Sequence, residues 1–318
     1  MRHFLTVTCV FALLAIAGCG SKDDNNAPIG AVDASTPAPT GEASAEQVAK
    51  EMRGGVSCPA KDANPRAAGA PIDDVVGVRP GMGWNEAATF VMCDNAMIVV
   101  SENTGRNYDI QTYGQKLRQG FDGRWAEARV VKSSRDYLRE MSEAAARRSG
   151  NAAAEPLPGG QSRFYVSTMG LPGQERVISV AREEAYAEGK QPTIESLTKA
   201  LMAKYGEPSA ANDAGQLVQM WWMYDPSGKK MQQGPCKMSV SPDAGTSLST
   251  ECGITVGAQF QTSNTNQGLA RSLAVSSQSG AWGYDLLMKT EAALKAADAS
   301  KKARELEDAS KNASAPKL

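Results

Sequence analysis

The sequence predicts an α+β fold: antiparallel sheets with packed helices, in two related halves, followed by a C-terminal helix. Three observations carry this. Runs such as Arg163-Phe164-Tyr165-Val166-Ser167 and Arg176-Val177-Ile178-Ser179-Val180 alternate apolar with polar residues around the turn Gly170-Leu171-Pro172-Gly173, which predicts a hairpin. Helices and hairpins follow one another in an order that does not build parallel β-α-β units. A Gly, Pro and Ala segment at 150–161 marks an internal boundary.

In chain order, the residues after Ala45 (AEQVAKEM) suit a short helix, and Pro, Gly and Asp return at 59–74. Val75 to Val78 predicts a short strand, followed by a Gly-rich turn through Gly83 and a two-turn helix ending by Cys93. Ala96 to Ser101 predicts a strand, and Tyr108–Tyr113 and Ala126–Val131 are further candidates. Ser133 to Ser149 predicts a helix capped by Ser133 or Ser134, with Leu138, Met141 and Ala145 near one face. Thr193 opens a helix striped by Ile194, Leu197, Leu201 and Met202, and Gly206 and Pro208 stop it. Leu217–Tyr224, Cys236–Val240, Cys252–Gln261 and Leu269–Ser276 predict strands, with Asp225-Pro226-Ser227-Gly228 as a turn. A last helix runs from Tyr284 past Lys302, its second half too polar to bury much. The expected organisation is a signal peptide at 1–18, a disordered tether at 19–44, an N-terminal α+β module at 45–150, a C-terminal α+β module at 160–283, and a helix with polar tail at 284–318.

The start of the chain sets the compartment. Arg2 and His3 precede an apolar run, Phe4 to Ala17, that ends in Ile16-Ala17-Gly18-Cys19. Fourteen residues make a helix of about 21 Å, short of a ~30 Å hydrocarbon core, so the pattern is that of a cleaved export signal. The box resembles that of bacterial lipoproteins, although Ile16 stands where such boxes usually carry Leu. The resemblance implies cleavage before Cys19 and acylation of its sulfur, with palmitate or a similar chain. By analogy with enterobacterial sorting, Gly20 rather than Asp after the cysteine implies the outer membrane. An ordinary secreted protein with an incidental Cys19 is the alternative. Residues 20–44 are Ala, Pro, Ser, Thr, Gly, Asp and Asn with almost no large apolar side chain, and about 25 such residues have an r.m.s. reach of roughly 27 Å.

Composition narrows the function. Removing 1–18 takes away Arg2 alone among the charged residues, leaving 33 Lys and Arg (34 − 1) against 35 Asp and Glu. That balance carries no nucleic-acid footprint. Four cysteines remain besides Cys19: Cys58, Cys93, Cys236 and Cys252. In an oxidising compartment they predict two disulfides, and of the three pairings Cys58–Cys93 and Cys236–Cys252 keep each bond within one end of the chain. No C-x-x-C knuckle supports a zinc site instead. The single histidine, His3, lies in the export signal, so the mature chain has no histidine for a metal site, a Ser-His-Asp triad or a Cys-His dyad.

Two segments carry a family resemblance. Gly81-Met82-Gly83-Trp84-Asn85-Glu86-Ala87 is similar to the turn into helix of small outer-membrane lipoproteins of the SmpA/OmlA type, an arrangement shared with the β-lactamase-inhibitor protein fold. Leu201-Met202-Ala203-Lys204-Tyr205-Gly206-Glu207-Pro208, followed by Met220-Trp221-Trp222-Met223-Tyr224-Asp225, resembles the helix exit and aromatic strand of the same group. The match covers about a quarter of the chain, in two separate places. Over its whole length the pattern resembles exported proteobacterial proteins. The resemblance implies helix-on-sheet modules that bind other proteins, and implies no catalytic residue.

Several patterns raise chemistry of their own. Ser196-Leu197-Thr198-Lys199 fits S-x-x-K, but the companion S-D-N and K-T-G motifs are missing and the site is an amphipathic helix. Gly77–Gly83 suits an anion cradle or a tight turn, without Walker or G-x-G-x-x-G spacing. Asp73 with Asp74, or Glu183 with Glu184, are acid pairs of the kind glycoside hydrolysis uses. Trp221, Trp222 and Tyr224 form the candidate partner surface: alternation sends Trp221 and Met223 to one face and Met220, Trp222 and Tyr224 to the other. Either the strand is central and packed on both sides, or one aromatic face is open. The expected function is a non-catalytic, protein-binding role for a lipid-anchored envelope protein, facing the periplasm, with an unknown envelope protein as partner. No cofactor or metal is expected. The alternatives are an immunity or inhibitor protein against a secreted toxin or hydrolase, an outer-membrane assembly accessory, and a carboxylate-based wall glycan hydrolase.

Overall fold

The computed structural model describes residues 41–59, 66–102, 108–148, 156–232, 234–240 and 247–313. Cys19, the export signal and most of the expected tether lie outside these residues. Helix α1 (Ala45–Arg53) is capped by the Ser44 hydroxyl, which accepts from Gln47 N. Arg53 closes it onto the end of α2 (Trp84–Asp94), donating to the Asn95 and Ile98 carbonyls at 3.0 and 2.8 Å. β1 (Ile98–Glu102) and β2 (Gly120–Trp125) follow, then α3 (Ser134–Arg148), β3 (Ser162–Met169) and β4 (Arg176–Ala185). Next come α4 (Ile194–Tyr205), β5 (Ala210–Asp213), β6 (Leu217–Tyr224), β7 (Lys230–Met231), β8 (Ile254–Thr262), β9 (Ala270–Ser279) and α5 (Gly280–Asn312). No helix among the described residues is long and apolar enough to cross a membrane.

The strands form one antiparallel sheet in the order β1-β2-β3-β4-β9-β8-β6-β5, with β7 beside β6. Each half is a helix followed by a four-stranded meander: α2 with β1 to β4, and α4 with β5, β6, β8 and β9. Both helices lie on the same sheet face. Under α2 are Phe121, Phe164, Val166 and Val180, and under α4 are Met220, Trp222, Val256 and Phe260. Phe121, Phe164, Phe260 and Trp222 are fully buried, each contributing about 1.5–3 kcal/mol of transfer free energy or more. Val275, at the middle of the sheet, packs against both clusters.

The halves match in detail. Trp84 N donates to Glu175 O and Val177 N to Met82 O, tying the start of α2 to the start of β4. Ile194 N donates to Gly268 O and Ala270 N to Pro192 O, tying the start of α4 to the start of β9. Val177 therefore corresponds to Ala270. The correspondence carries Ser179 onto Ser272 and Ala185 onto Gln278, and the central ladder pairs Ser179 with Gln278 and Ala185 with Ser272. The register is thus its own image under a local two-fold through the facing residues Arg182 and Val275. Each half also carries a register shift at the same place: Ser167 and Thr168 face Ser179 and Val177, while Gln261 and Thr262 face Ser272 and Ala270.

The expected boundary at 150–161 does not interrupt the sheet, because β2 before it pairs with β3 after it. Nor does it divide the cores, since Phe121 and Phe164 share one cluster. Both expected disulfides are present, Cys58–Cys93 and Cys236–Cys252, with Cα atoms 5.7 and 5.6 Å apart. Four strand expectations are corrected. Residues 108–113 and 126–131 are not strands; only Arg129 pairs, in an isolated bridge with Ala43. Residues 236–240 are a loop held against the sheet by the second disulfide. Val75 and Val78 close a tight turn with two reciprocal backbone hydrogen bonds, at 2.8 and 3.0 Å, in place of a strand.

Candidate binding surface on the sheet

The face of the sheet opposite α2 and α4 is built by the alternate residues. Across it, Asp122 faces Tyr165, Tyr165 faces Ala181, and Ala181 faces Ser276. Two residues further along, Arg163 faces Glu183, Glu183 faces Ala274, Ala274 faces Gln259, and Gln259 faces Gln219. The sequence dictates this split. In β3, Phe164 and Val166 alternate with Arg163, Tyr165 and Ser167, so one pleat enters the core and the other meets water.

Two devices cover one end of this face. The segment bearing Cys236 is clamped over β8 by its disulfide to Cys252, and a Cβ on Gly257 would stand 2.8 Å from Val240 Cγ2. Only glycine admits that close approach. The start of α5 covers the bulge of β4, where a Cβ on Gly283 would meet Ile178 Cγ2 at 2.5 Å. Between them opens a cavity of about 190 Å³ lined by Ser179, Ser276, Gln278 and Lys237.

The other end stays half-exposed and polar. Tyr165 stands between two guanidinium groups, Arg163 and Arg124, whose central carbons lie 5.8 and 5.9 Å from its ring centroid. Arg163 pairs with Glu183 at 2.6 Å and Arg124 with Asp122 at 2.7 Å. Gln219 donates to Gln259 at 2.9 Å. These side chains are pre-oriented by one another and belong to neither main core cluster.

Trp221 and Trp222 do not form the expected partner surface. Trp222 is fully buried under α4, its ring 5.1 Å from that of Tyr205, and its indole N–H donates to Gly206 O at 2.8 Å. Trp221 is 7% exposed, packed on the Cys236–Cys252 bridge and donating to Met238 O at 3.0 Å. Tyr224 is half-buried against the α4 cluster. β6 has β5 and β8 on its two sides and cover on both faces, so its aromatic residues are core. The sequence marks Tyr165 and Arg163 only as strand residues and Glu183 only as half of an acid pair, although the alternation of β3 carries the signal of a shared face.

The other candidate chemistries resolve locally. Ser196 donates its hydroxyl to Thr193 O at 2.8 Å, while Lys199 pairs with Glu195 at 2.6 Å in solvent, so the two turn to different partners. Glu183 pairs with Arg163 on the open face and Glu184 with Arg182 on the helix face, and successive strand residues cannot act on one bond. Asp73 and Asp74 both accept from Arg66 at 3.2 Å, and Asp74 also pairs with Lys204 at 2.7 Å. Burial raises the Asp73 carboxyl above its ordinary value despite Arg66 and Arg79. Burial acts on Asp74 too, but the Lys204 ammonium, the Gly77 amide and Arg66 hold it below. The pair joins the loop before α2 to α4, a structural tie between the halves. The Gly77 amide is taken by Asp74 at 3.2 Å and faces no open cradle. Among the described residues no group of three His, Cys, Asp or Glu is placed to hold a metal ion. No family model, curated protein or solved structure matches the chain.

Proposed function

We propose that this chain is a lipid-anchored protein of the bacterial cell envelope, held at the outer membrane through Cys19 and facing the periplasm. Its body is a non-catalytic module that binds another envelope protein through the half-exposed sheet face around Tyr165. The observation that carries the binding role is the division of labour across the sheet. One face is filled by two helices, while the other ends in a patch of aromatic, charged and amide side chains outside both main cores. Such a patch suits a protein partner of standard interface chemistry, with Tyr and Arg as anchors. The export pattern, the two disulfides and the histidine-free mature chain support the envelope location and the absence of common hydrolytic machinery.

The test has two arms. Photo-crosslinking residues at Tyr165 and Gln259 should capture one discrete protein in intact cells, whereas the same residue at Glu195, exposed on α4, should not. Equal capture from all three, or capture from none, overturns the binding face. Mass measurement of the amino-terminal peptide should find acylated Cys19, and an intact, unacylated terminus overturns the location.

A further inference from the structure

We propose that α3 is a membrane-surface helix, lying in the headgroup region of the bilayer to which the chain is anchored, and so fixes how the body stands on that membrane. The inference rests on the lipid-anchor reading for its geometry. α3 is well formed at its start: the Ser133 hydroxyl accepts from Asp136 N, and the Asp136 carboxylate accepts from Ser133 N, a reciprocal cap. Yet it contributes to none of the buried hydrophobic clusters. None of its described residues is buried, and Tyr137, Leu138 and Met141 are 59%, 66% and 54% exposed. A 15-residue helix without tertiary packing is marginal in water, so an apolar stripe on such a helix calls for a cover.

At 100° per residue, Tyr137, Leu138, Met141, Ala144 and Ala145 fall within an arc of about 120°, which only Ser134 at the helix start and Arg148 at its end share. Arg135, Asp136, Arg139, Glu140 and Glu143 fall on the opposite arc. The approach to the helix continues the apolar surface, with Val130 56% and Val131 75% exposed.

What covers it follows from where the tether leaves the body. Ala43 exchanges both backbone hydrogen bonds with Arg129, each at 2.9 Å. The exposed valines come directly after Arg129, and α3 begins five residues on (134 − 129). The segment leading back to Cys19 therefore emerges beside the unpartnered stripe. The expected tether, with a reach of roughly 27 Å, adds effective concentration over the bilayer to a partition that α3 has on its own. The polar arc is close to neutral, so insertion is driven by apolar burial rather than by anionic headgroups. Seated this way, the body presents its β1 edge to the membrane and its β5 edge away from it, and the sheet face around Tyr165 stands upright in the periplasm.

The test uses the mature chain with Cys19→Ala, which carries no lipid, and vesicles of phosphatidylethanolamine and phosphatidylglycerol. The protein should float with the vesicles, with little change when salt is raised or phosphatidylglycerol omitted. The double substitution Leu138→Asp and Met141→Asp should reduce the bound fraction at least about tenfold, since one buried leucine is worth 1.5–3 kcal/mol and 1.4 kcal/mol is tenfold. Its urea midpoint should not move, because both side chains are mostly exposed and lie outside every buried cluster. Equal flotation of the two proteins, or flotation of neither, overturns the inference. So does a concentration-dependent dimer that the double substitution abolishes without vesicle binding, which would make a second copy the cover. Flotation through α3 by a chain whose native Cys19 proves unacylated removes the anchor reading and leaves the helix assignment standing.

Discussion

The two disulfides differ in a way that a reductant can read. Cys58 is exposed and Cys93 half-buried, whereas Cys236 and Cys252 are 4% and 3% exposed. Mild reduction under native conditions should therefore open Cys58–Cys93 first, and Cys236–Cys252 only after the segment over β8 lifts. The bonds span 35 and 16 residues. In the chain-entropy model, closing these loops is worth about 3.8 and 3.1 kcal/mol. A body of this size loses roughly 2–4 °C in Tm per kcal/mol, so opening the first bond should lower Tm by about 10 °C with the sheet intact. Timed alkylation with peptide mass mapping gives the order, and urea midpoints of the Cys58→Ala/Cys93→Ala protein give the magnitude. Two results would refute the reasoning: first labelling at Cys236 and Cys252, or an unchanged midpoint in the double variant.

Further outcomes follow from particular residues. Val76 is exposed at φ 50°, a conformation that costs a β-branched residue roughly 1–2 kcal/mol, so Val76→Asn should raise the unfolding free energy measured in urea by about 1 kcal/mol. Gly123→Ala should destabilise by about 1–3 kcal/mol in the same assay, because the added Cβ would sit 2.4 Å from Val91 Cγ1 and 3.2 Å from Phe164 Cβ. Asp74→Asn should destabilise at neutral pH. The folded-state pKa of Asp74 is depressed, so its contribution is present above the unfolded carboxylate pKa and lost as pH falls through the folded value; urea midpoints of variant and parent should therefore converge in acid. The opposite shift at Asp73 makes its ionisation costly in the folded state, so Asp73→Asn should be tolerated better than Asp74→Asn at neutral pH, a ranking the same midpoints measure.

Much of the architecture is written in local pattern. The alternation in β3 and β4, the capped stripe of α4 with its Gly206 stop, and the cysteine pairing all follow from period and spacing. β2 is the instructive failure. Gly-Phe-Asp-Gly-Arg-Trp has poor strand propensity, yet both glycines are required by packing: a Cβ on Gly120 would meet Val166 O at 2.4 Å, and Gly123 lies under α2. Tertiary contact overrides propensity there, and no local signal reports it. The same blindness misplaced the candidate surface. Trp221-Trp222 is the loudest aromatic pair in the sequence, but whether the strand is central depends on its second partner, β8, which begins thirty residues on (254 − 224). The quieter Arg163-Tyr165 alternation marks the face that meets water.

The local two-fold through Arg182 and Val275 carries a hazard with its own safeguard. Either half, severed from the other, would bare a strand whose register is complementary to itself, an invitation to swap between copies. On the β4 side, such a swap would bring two Arg182 guanidinium groups face to face, like charges in direct opposition. In the intact chain Arg182 meets Val275 instead, with no second guanidinium across the ladder. A single arginine at the symmetry centre thus penalises self-association of one half and leaves the covalently joined partner as the preferred mate.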